Sequence, residues 1–144
     1  MQETEKALLL QGQKGNYFGR TYAALIAASI GAIMPSPDSN EAIHNNKRIV
    51  IKCARRKTSK IGVSYKMLNR LDFVLAAFEC IDGSFDLHCL SAEIFKENMK
   101  NTKSKGPSAG KVGVISKNEF IARGKFEGKI NIDSNNKLKK PRTT

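Results

Sequence analysis

Residues 47–57 read KRIVIKCARRK, an apolar centre between basic ends. The three consecutive β-branched residues, Ile49–Ile51, are typical of a central strand that is buried on both faces. Asn45 and Asn46 precede this strand and tolerate positive φ, so residues 42–44 are predicted to pair back on it as a hairpin. We therefore expect the sheet of the protein to form around this strand.

Lys52 is the unusual residue of the strand, because it directly follows three apolar residues. A charge at such a position is costly unless it has a partner or a function. Two interpretations remain open. Either the strand reaches the surface and Lys52 extends into water, or Lys52 lines a cleft that handles phosphate groups together with the basic residues after it.

The rest of the pattern predicts helices packed on a mixed sheet. Apolar residues at three- and four-residue spacing predict a buried helix over 16–29. Other elements are predicted in chain order: a helix at 4–11, a loop at 55–62, a helical turn within 63–70, strands at 71–79 and 85–90 joined by an Asp82-Gly83 turn, a helix at 92–99 capped by Ser91, a strand at 112–115, and a capping box at 116–119. This order indicates an α/β or α+β domain. Of these we expect the α/β class, with a mixed β-sheet flanked by helices.

The length of 144 residues fits one domain with a sizeable core. We predict a single domain over residues 1–132 and a disordered basic tail over 133–144, because the chain is polar beyond Ile132. Residues 101–110 are rich in Lys, Ser and Gly, a composition that predicts a mobile loop.

The composition indicates a polyanionic partner. Twenty-five Lys and Arg residues against 13 Asp and Glu residues give a net charge of +12, which favours nucleic acid first and an anionic membrane surface second. No apolar run approaches the roughly 20 residues of a membrane span, and a secretory signal is not expected at the N-terminus. The three cysteines stand in apolar contexts, which favours reduced thiols and a cytoplasmic protein. With no Cys-x-x-Cys pair and two histidines, a structural zinc site is not expected.

Several stretches follow the element order of a known nuclease fold. They are Gly15–Tyr17, Leu25–Gly31, Asn40–Ile43, Lys47–Arg55 and Leu71–Ala76. In this order the chain resembles the restriction-endonuclease-like, PD-(D/E)XK nuclease superfamily, and within it a group of small uncharacterised domains. The resemblance covers roughly residues 15–97 and depends more on element order than on sequence motif.

The resemblance implies a catalytic site with a degraded metal-binding motif. In that superfamily an acidic residue on the first strand and an (E/Q)-x-K pair on the next strand bind Mg²⁺ and position the attacking water. Glu41 falls at the acidic position, and Val50-Ile51-Lys52 falls on the pair, so Glu41 and Lys52 are the implied catalytic residues and Glu41 the implied metal ligand. Valine offers no oxygen to Mg²⁺, and no carboxylate stands near Gly19, where a helix glutamate often sits. Asp38 is a candidate replacement.

Eight basic residues are predicted to contact DNA, and no acidic residue interrupts the chain between Glu41 and Asp72. They are Lys47, Arg48, Arg55, Arg56, Lys57, Lys60, Lys66 and Arg70. Basic side chains along one groove supply sequence-independent affinity for a phosphate backbone. The alternative interpretation is an ordinary solvated surface. His88 alternates with Leu87 and Leu90 and is interpreted as a half-buried strand residue rather than a ligand.

We therefore predict a DNA-binding protein with a nuclease-like fold and a degraded metal site. The alternative is an active Mg²⁺-dependent restriction or repair endonuclease, with Mg²⁺ as its cofactor and the missing carboxylate supplied from elsewhere in the fold. A third option is an RNA-binding or protein-interaction domain. DNA is the expected partner, RNA is the alternative nucleic acid, a homodimer is an option, and a membrane is not expected.

Overall fold

The computed structural model describes residues 19–36, 38–101, 110–132 and 138–139. The helices are α1 (19–30), α2 (Tyr65–Leu68), α3 (Ala92–Asn98) and α4 (Lys117–Arg123). The strands are β1 (Glu41–His44), β2 (Lys47–Ala54), β3 (Lys60–Ser64), β4 (Phe73–Glu79), β5 (Phe85–Ser91), β6 (Lys100–Asn101), β7 (Val112–Ser116), β8 (Lys125–Ile132) and β9 (Leu138–Lys139). No helix in these ranges has the length and apolar character needed to cross a membrane.

The main sheet is mixed, with the strand order β1-β2-β4-β5-β8 and the two-residue β9 beside β8. β2 and β4 are parallel, whereas the other neighbouring strands are antiparallel. The predicted hairpin is confirmed: β1 and β2 pair across Asn45 and Asn46, whose φ angles are 51° and 64°. The prediction of an α/β class with a mixed sheet flanked by helices is confirmed at this level.

A second sheet was not predicted. β3, β7 and β6 form a small antiparallel sheet in the order β3-β7-β6. β3 begins inside the stretch predicted as a loop at 55–62, because Ile61 and Val63 alternate with polar residues and are buried. The helical turn predicted within 63–70 is confirmed as α2.

Two hydrophobic cores lie on opposite faces of the main sheet. On one face Ile49 and Ile51 belong to a core with Ala23, Ile26 and Ala27 of α1. The core of the other face also contains residues of the small sheet, α3 and α4; it includes Val50, Ala54, Ala76, Phe78, Leu90, Phe95, Ile115 and Phe120. The protein therefore has three layers, and the alternation along β2 decides which residue belongs to which core.

Serine caps begin the three short helices. Ser64, Ser91 and Ser116 each accept a hydrogen bond from the backbone N–H three residues later, at 3.1 Å. The caps predicted at Ser91 and Ser116 are confirmed. The Ser116 cap fixes the start of α4 and so places Lys117 with its Nζ 5.4 Å from the centroid of the Phe78 ring.

Some predictions fall on residues outside the described ranges. These are the helix at 4–11, the first part of the helix at 16–29, most of the loop at 101–110, and most of the tail at 133–144. Within the tail, residues 138–139 are described and pair antiparallel with 131–132.

Candidate nucleic-acid interface

Glu41, Val50 and Lys52 share one face of the main sheet. Glu41 is directly opposite Val50 in the β1–β2 register, and Lys52 follows Val50 by two residues. The three residues singled out by the resemblance are therefore neighbours. Val50, however, is fully buried in the core between the two sheets. It is a packing residue and does not line an open cleft.

The carboxylate of Glu41 binds Arg70. The Nε and Nη2 atoms of Arg70 lie 2.7 Å and 2.5 Å from Oε1 of Glu41. A charge-assisted contact of this kind compensates the carboxylate with a guanidinium group. The pocket beside the pair, lined also by Arg48 and Leu71, measures about 30 Å³, which is water-sized. Sequence reasoning assigned Glu41 to a metal and Arg70 to DNA, and it did not predict that they pair.

The residues around Glu41 do not fit a Mg²⁺ site. Mg²⁺ in proteins takes oxygen ligands, commonly one or two carboxylates with waters. Val50 offers no oxygen, and Arg70 already binds Glu41. A Cβ atom on Gly19 would lie 3.9 Å from Nδ2 of Asn40, on the side of the sheet that α1 covers, opposite to Glu41. Within the described ranges no three His, Cys, Asp or Glu residues form a group able to hold a metal ion. We therefore derive no catalytic step through a metal.

Lys52 is half-buried on the covered face of β2. Its neighbours on this face are Val50 and Ala54 along the strand and Ala76 on β4, all three of them buried. Burial lowers the pKa of Lys52, and the nearby Cys53 opposes this change. Lys52 makes no hydrogen bond or ion pair with another described residue. The interpretation that Lys52 extends freely into water is not met in full, because the residue is half-buried; the interpretation that it handles phosphate groups stays a prediction.

The eight predicted DNA-binding residues divide into groups near the two ends of β2. Lys47 and Arg48 open the strand. Arg70 reaches this end because the backbone N–H of Asp72 donates to the carbonyl of Arg48, and the backbone N–H of Arg48 donates to the carboxylate of Asp72. Lys66 lies on α2, just before Arg70. Arg55, Arg56 and Lys57 form the turn that follows β2, and Lys60 opens β3. The two ends of β2 are roughly 23 Å apart at the usual rise of a strand. The structure therefore gives two groups and not one cluster.

All eight side chains belong to exposed residues. Arg70 is occupied by Glu41. Six of the others form no ion pair with any carboxylate in the described part of the chain; they are Lys47, Arg48, Arg56, Lys57, Lys60 and Lys66. Exposed cations without a carboxylate partner are available to bind phosphate groups.

A pocket of about 660 Å³ adjoins the basic turn, and we call it the turn pocket. Arg56 from the turn, Phe78 from β4, His88 from β5 and Lys117 from α4 line it, and β8 contributes Lys129. A backbone hydrogen bond of 2.8 Å from Lys117 N to Ser59 O joins the end of the turn to α4. Sequence reasoning missed this pocket because its residues come from five separate segments.

The charged groups of the turn pocket differ in how far they are paired. Lys129 Nζ lies 3.3 Å from Oδ1 of Asp86 and 3.2 Å from Oγ of Ser84. His88 lies on β5, as predicted, but it is buried and not half-buried, and its Nδ1 atom is buried without a hydrogen-bond partner in the described ranges. Burial lowers the pKa of His88, Asp86 opposes that effect, and Lys117 adds to it. The net effect is a lowered pKa, which favours the neutral form of His88.

No protein-family model matches the sequence, and no curated protein matches it either. The resemblance to the nuclease superfamily thus depends on element order and on the positions of Glu41 and Lys52 alone.

Proposed function

We propose that the protein binds DNA through the exposed basic residues near both ends of β2, on a restriction-endonuclease-like scaffold whose metal site is degraded. The observation that carries the proposal is the set of six exposed Lys and Arg side chains that no described carboxylate neutralises. A net charge of +12 supports the same class of partner.

The spacing of the two groups supports a duplex as the ligand. A separation of roughly 23 Å along β2 corresponds to about seven base pairs of B-DNA at 3.4 Å per pair. A rigid strand between two groups of cations holds them at a fixed distance along such a phosphate backbone. Contacts of this type position a duplex without reading its sequence.

Binding is favoured over cleavage because the residues near Glu41 lack a second oxygen ligand. The buried Val50 replaces the expected carboxylate, and Arg70 neutralises Glu41. Phosphate binding requires none of these groups, since it depends on exposed cations alone.

The test compares two triple variants with the same change in charge. Replacing Arg55, Arg56 and Lys57 with alanine removes the basic turn. The control replaces three exposed basic residues on other elements with alanine, namely Lys96 of α3, Arg123 of α4 and Lys125 of β8. Binding of a fluorescently labelled DNA duplex is followed by anisotropy over a range of KCl concentrations.

The turn variant is expected to weaken binding on all sequences. It should also reduce the slope of log K against log salt by up to about 2.7, that is, about 0.9 for each lost phosphate contact. The control should retain most of the wild-type slope. Equal slopes in wild type and in the turn variant would exclude the turn as a DNA contact.

The endonuclease alternative keeps one observation in its favour, which is that Glu41 and Lys52 share a face. Nicking of supercoiled plasmid in Mg²⁺ or Mn²⁺ tests it directly. Strong cleavage that disappears in both Glu41→Ala and Lys52→Ala would establish an intact site. We expect little cleavage by wild type.

A further inference from the structure

The turn pocket carries apolar groups at its surface beside its charges. Ile81 and Ile121 line it and are 89% and 37% exposed. Phe126, which is 55% exposed, does not line the pocket itself but contacts His88, which does. Exposed large apolar residues grouped at one site indicate a contact surface, whereas single ones need no explanation. These three exposed apolar side chains therefore indicate a ligand that has an apolar face.

The aromatic side chains at the pocket form a row. The centroid of the His88 ring is 5.7 Å from that of Phe78 and 5.3 Å from that of Phe126. Phe126 is the direct partner of His88 between β5 and β8, so both side chains are on the same face of the sheet. Phe126 is the exposed end of this row. An exposed aromatic ring beside basic groups is the arrangement on which unpaired bases stack.

Every carboxylate that lines the pocket has a hydrogen-bond or ion-pair partner, whereas two of its cations have no carboxylate partner in the described ranges. Arg56 and Lys117 form no ion pair with a carboxylate among the described residues. The acidic groups that line the pocket already have contacts: Asp86 with Lys129, Asp82 with the backbone N–H and hydroxyl of Ser84, and Glu79 with the backbone N–H of Arg56. Two cations thus remain for one phosphate group.

We propose that the turn pocket binds one unpaired nucleotide of a nucleic-acid strand. Its base stacks on Phe126 beside His88, and its phosphate contacts Arg56 and Lys117. The volume of about 660 Å³ is within the usual range of about 300–1,000 Å³ for ligand pockets. This inference deepens the proposed function and rests on it, because it names which form of nucleic acid one part of the basic surface recognises. A base inside a duplex has both faces covered by its neighbours and cannot stack on Phe126.

The test measures single strands and duplexes side by side. The probes are labelled oligothymidine, labelled oligouridine and a labelled DNA duplex of the same length. Phe126→Ala removes the stacking ring at an exposed position. Ile33→Ala is the matched control, because Ile33 is 69% exposed and pairs with Ile43 of β1, at the opposite edge of the main sheet from Phe126. Lys117→Ala removes one of the two phosphate contacts.

Phe126→Ala is expected to weaken single-strand binding about tenfold or more, as for the loss of one base–aromatic stack. Its duplex affinity should remain within about twofold of wild type, since no stack exists there to lose. Lys117→Ala should reduce the salt slope for single strands by about 0.7. Ile33→Ala should leave both affinities unchanged. Photocrosslinking of a bromouracil-containing strand should label Phe126 or His88.

The results that overturn the pocket can be distinguished from those that overturn the proposed function. Duplex binding with no single-strand binding, or an unchanged single-strand affinity in Phe126→Ala, overturns the pocket and leaves the proposed DNA binding standing. An equal loss for single strands and duplexes in Phe126→Ala also overturns it. Absence of binding to all three probes overturns both proposals. A response confined to the thymidine or the uridine probe supports the pocket and identifies its strand as DNA or RNA.

Discussion

Replacement of Lys52 by methionine isolates the cost of holding an amine on the covered face of β2. The methionine side chain has a similar length and retains the apolar stem, so its contacts with Val50, Ala54 and Ala76 are kept. The amine of Lys52 has no hydrogen bond or ion pair within the described ranges. The stability difference between the two proteins therefore reports on the desolvation of one charge.

The expected effect is a gain in stability of about 1–2 kcal/mol at pH 7. An unsatisfied buried polar group costs about 1–3 kcal/mol, and the lower part of this range applies because Lys52 is only half-buried. Burial lowers the pKa of Lys52 below 10.5, its value in an unfolded chain. Between the folded and the unfolded pKa the unfolded state binds more protons, so the stability of wild type rises with pH. The advantage of Lys52→Met should thus shrink as the pH approaches 10.5.

Urea unfolding at neutral and alkaline pH measures the free energy of unfolding and its m value for each protein. Lys47→Met is the control, because Lys47 opens the same strand and is exposed; its effect should be within about 0.5 kcal/mol. A Lys52→Met protein that is less stable than wild type by more than about 1 kcal/mol, at an unchanged m value, would refute the reasoning. It would mean that the amine has a stabilising partner.

Three further experiments test the surroundings of β2. Val50→Glu should lower the free energy of unfolding by about 3–5 kcal/mol, because it buries an unpaired charge; recovery of stability with added MgCl₂ would contradict the expectation that Glu41, held by Arg70, does not complete a metal site with the new carboxylate. A double-mutant cycle with Arg70→Ala and Glu41→Ala should give a coupling free energy of about 0.5–1 kcal/mol that falls at high salt, and a salt-independent coupling would contradict a surface ion pair. Burial raises the pKa of Cys53 to about 12, so at pH 8 its alkylation, followed by mass spectrometry, should be roughly a hundredfold or more slower in the folded protein than in urea. Equal rates would show that Cys53 is accessible and ionised.

The hairpins of the main sheet could be predicted because their signals are local. Asn45 and Asn46 adopt the positive φ angles that a tight turn needs, and Gly83 has a φ angle of 84° in the turn between β4 and β5. Each of these residues favours its conformation without help from distant parts of the chain. The serine caps are local for the same reason.

The small sheet and β8 could not be predicted with the same ease, because they depend on distant partners. Ile61 and Val63 alternate correctly for a strand, but Lys60 and Gly62 beside them are typical of a loop, and the partner strand β7 begins 48 residues after Ser64. In β8 the pairing with β5 shifts its register between Leu87 and His88. Phe126, Ile130 and Ile132 alternate with polar residues in the sequence, but the shift places Phe126 and Ile130 on opposite faces of the sheet, which alternation alone does not predict.

The candidate site also combines features that follow from local sequence signals with features that depend on distant residues. The shared face of Glu41 and Lys52 follows from strand alternation and from a hairpin, both readable in the sequence. The pairing of Glu41 with Arg70 joins residues 29 positions apart and has no local signal. The turn pocket likewise combines segments that only the folded sheet brings together.

The hydrogen bond from Lys117 N to Ser59 O has a consequence for local unfolding. α4, which Lys117 begins, also carries Phe120, whose ring contacts both Phe78 and Phe95. Movement of the basic turn away from the sheet would break this bond. It would also displace α4, whose Phe120 packs in the core between the main sheet and the small sheet. The turn, α4 and the small sheet should therefore open as one cooperative unit in hydrogen exchange, at a free energy well above that of a frayed surface loop. A ligand held at the turn would slow amide exchange as far away as β3 and β7.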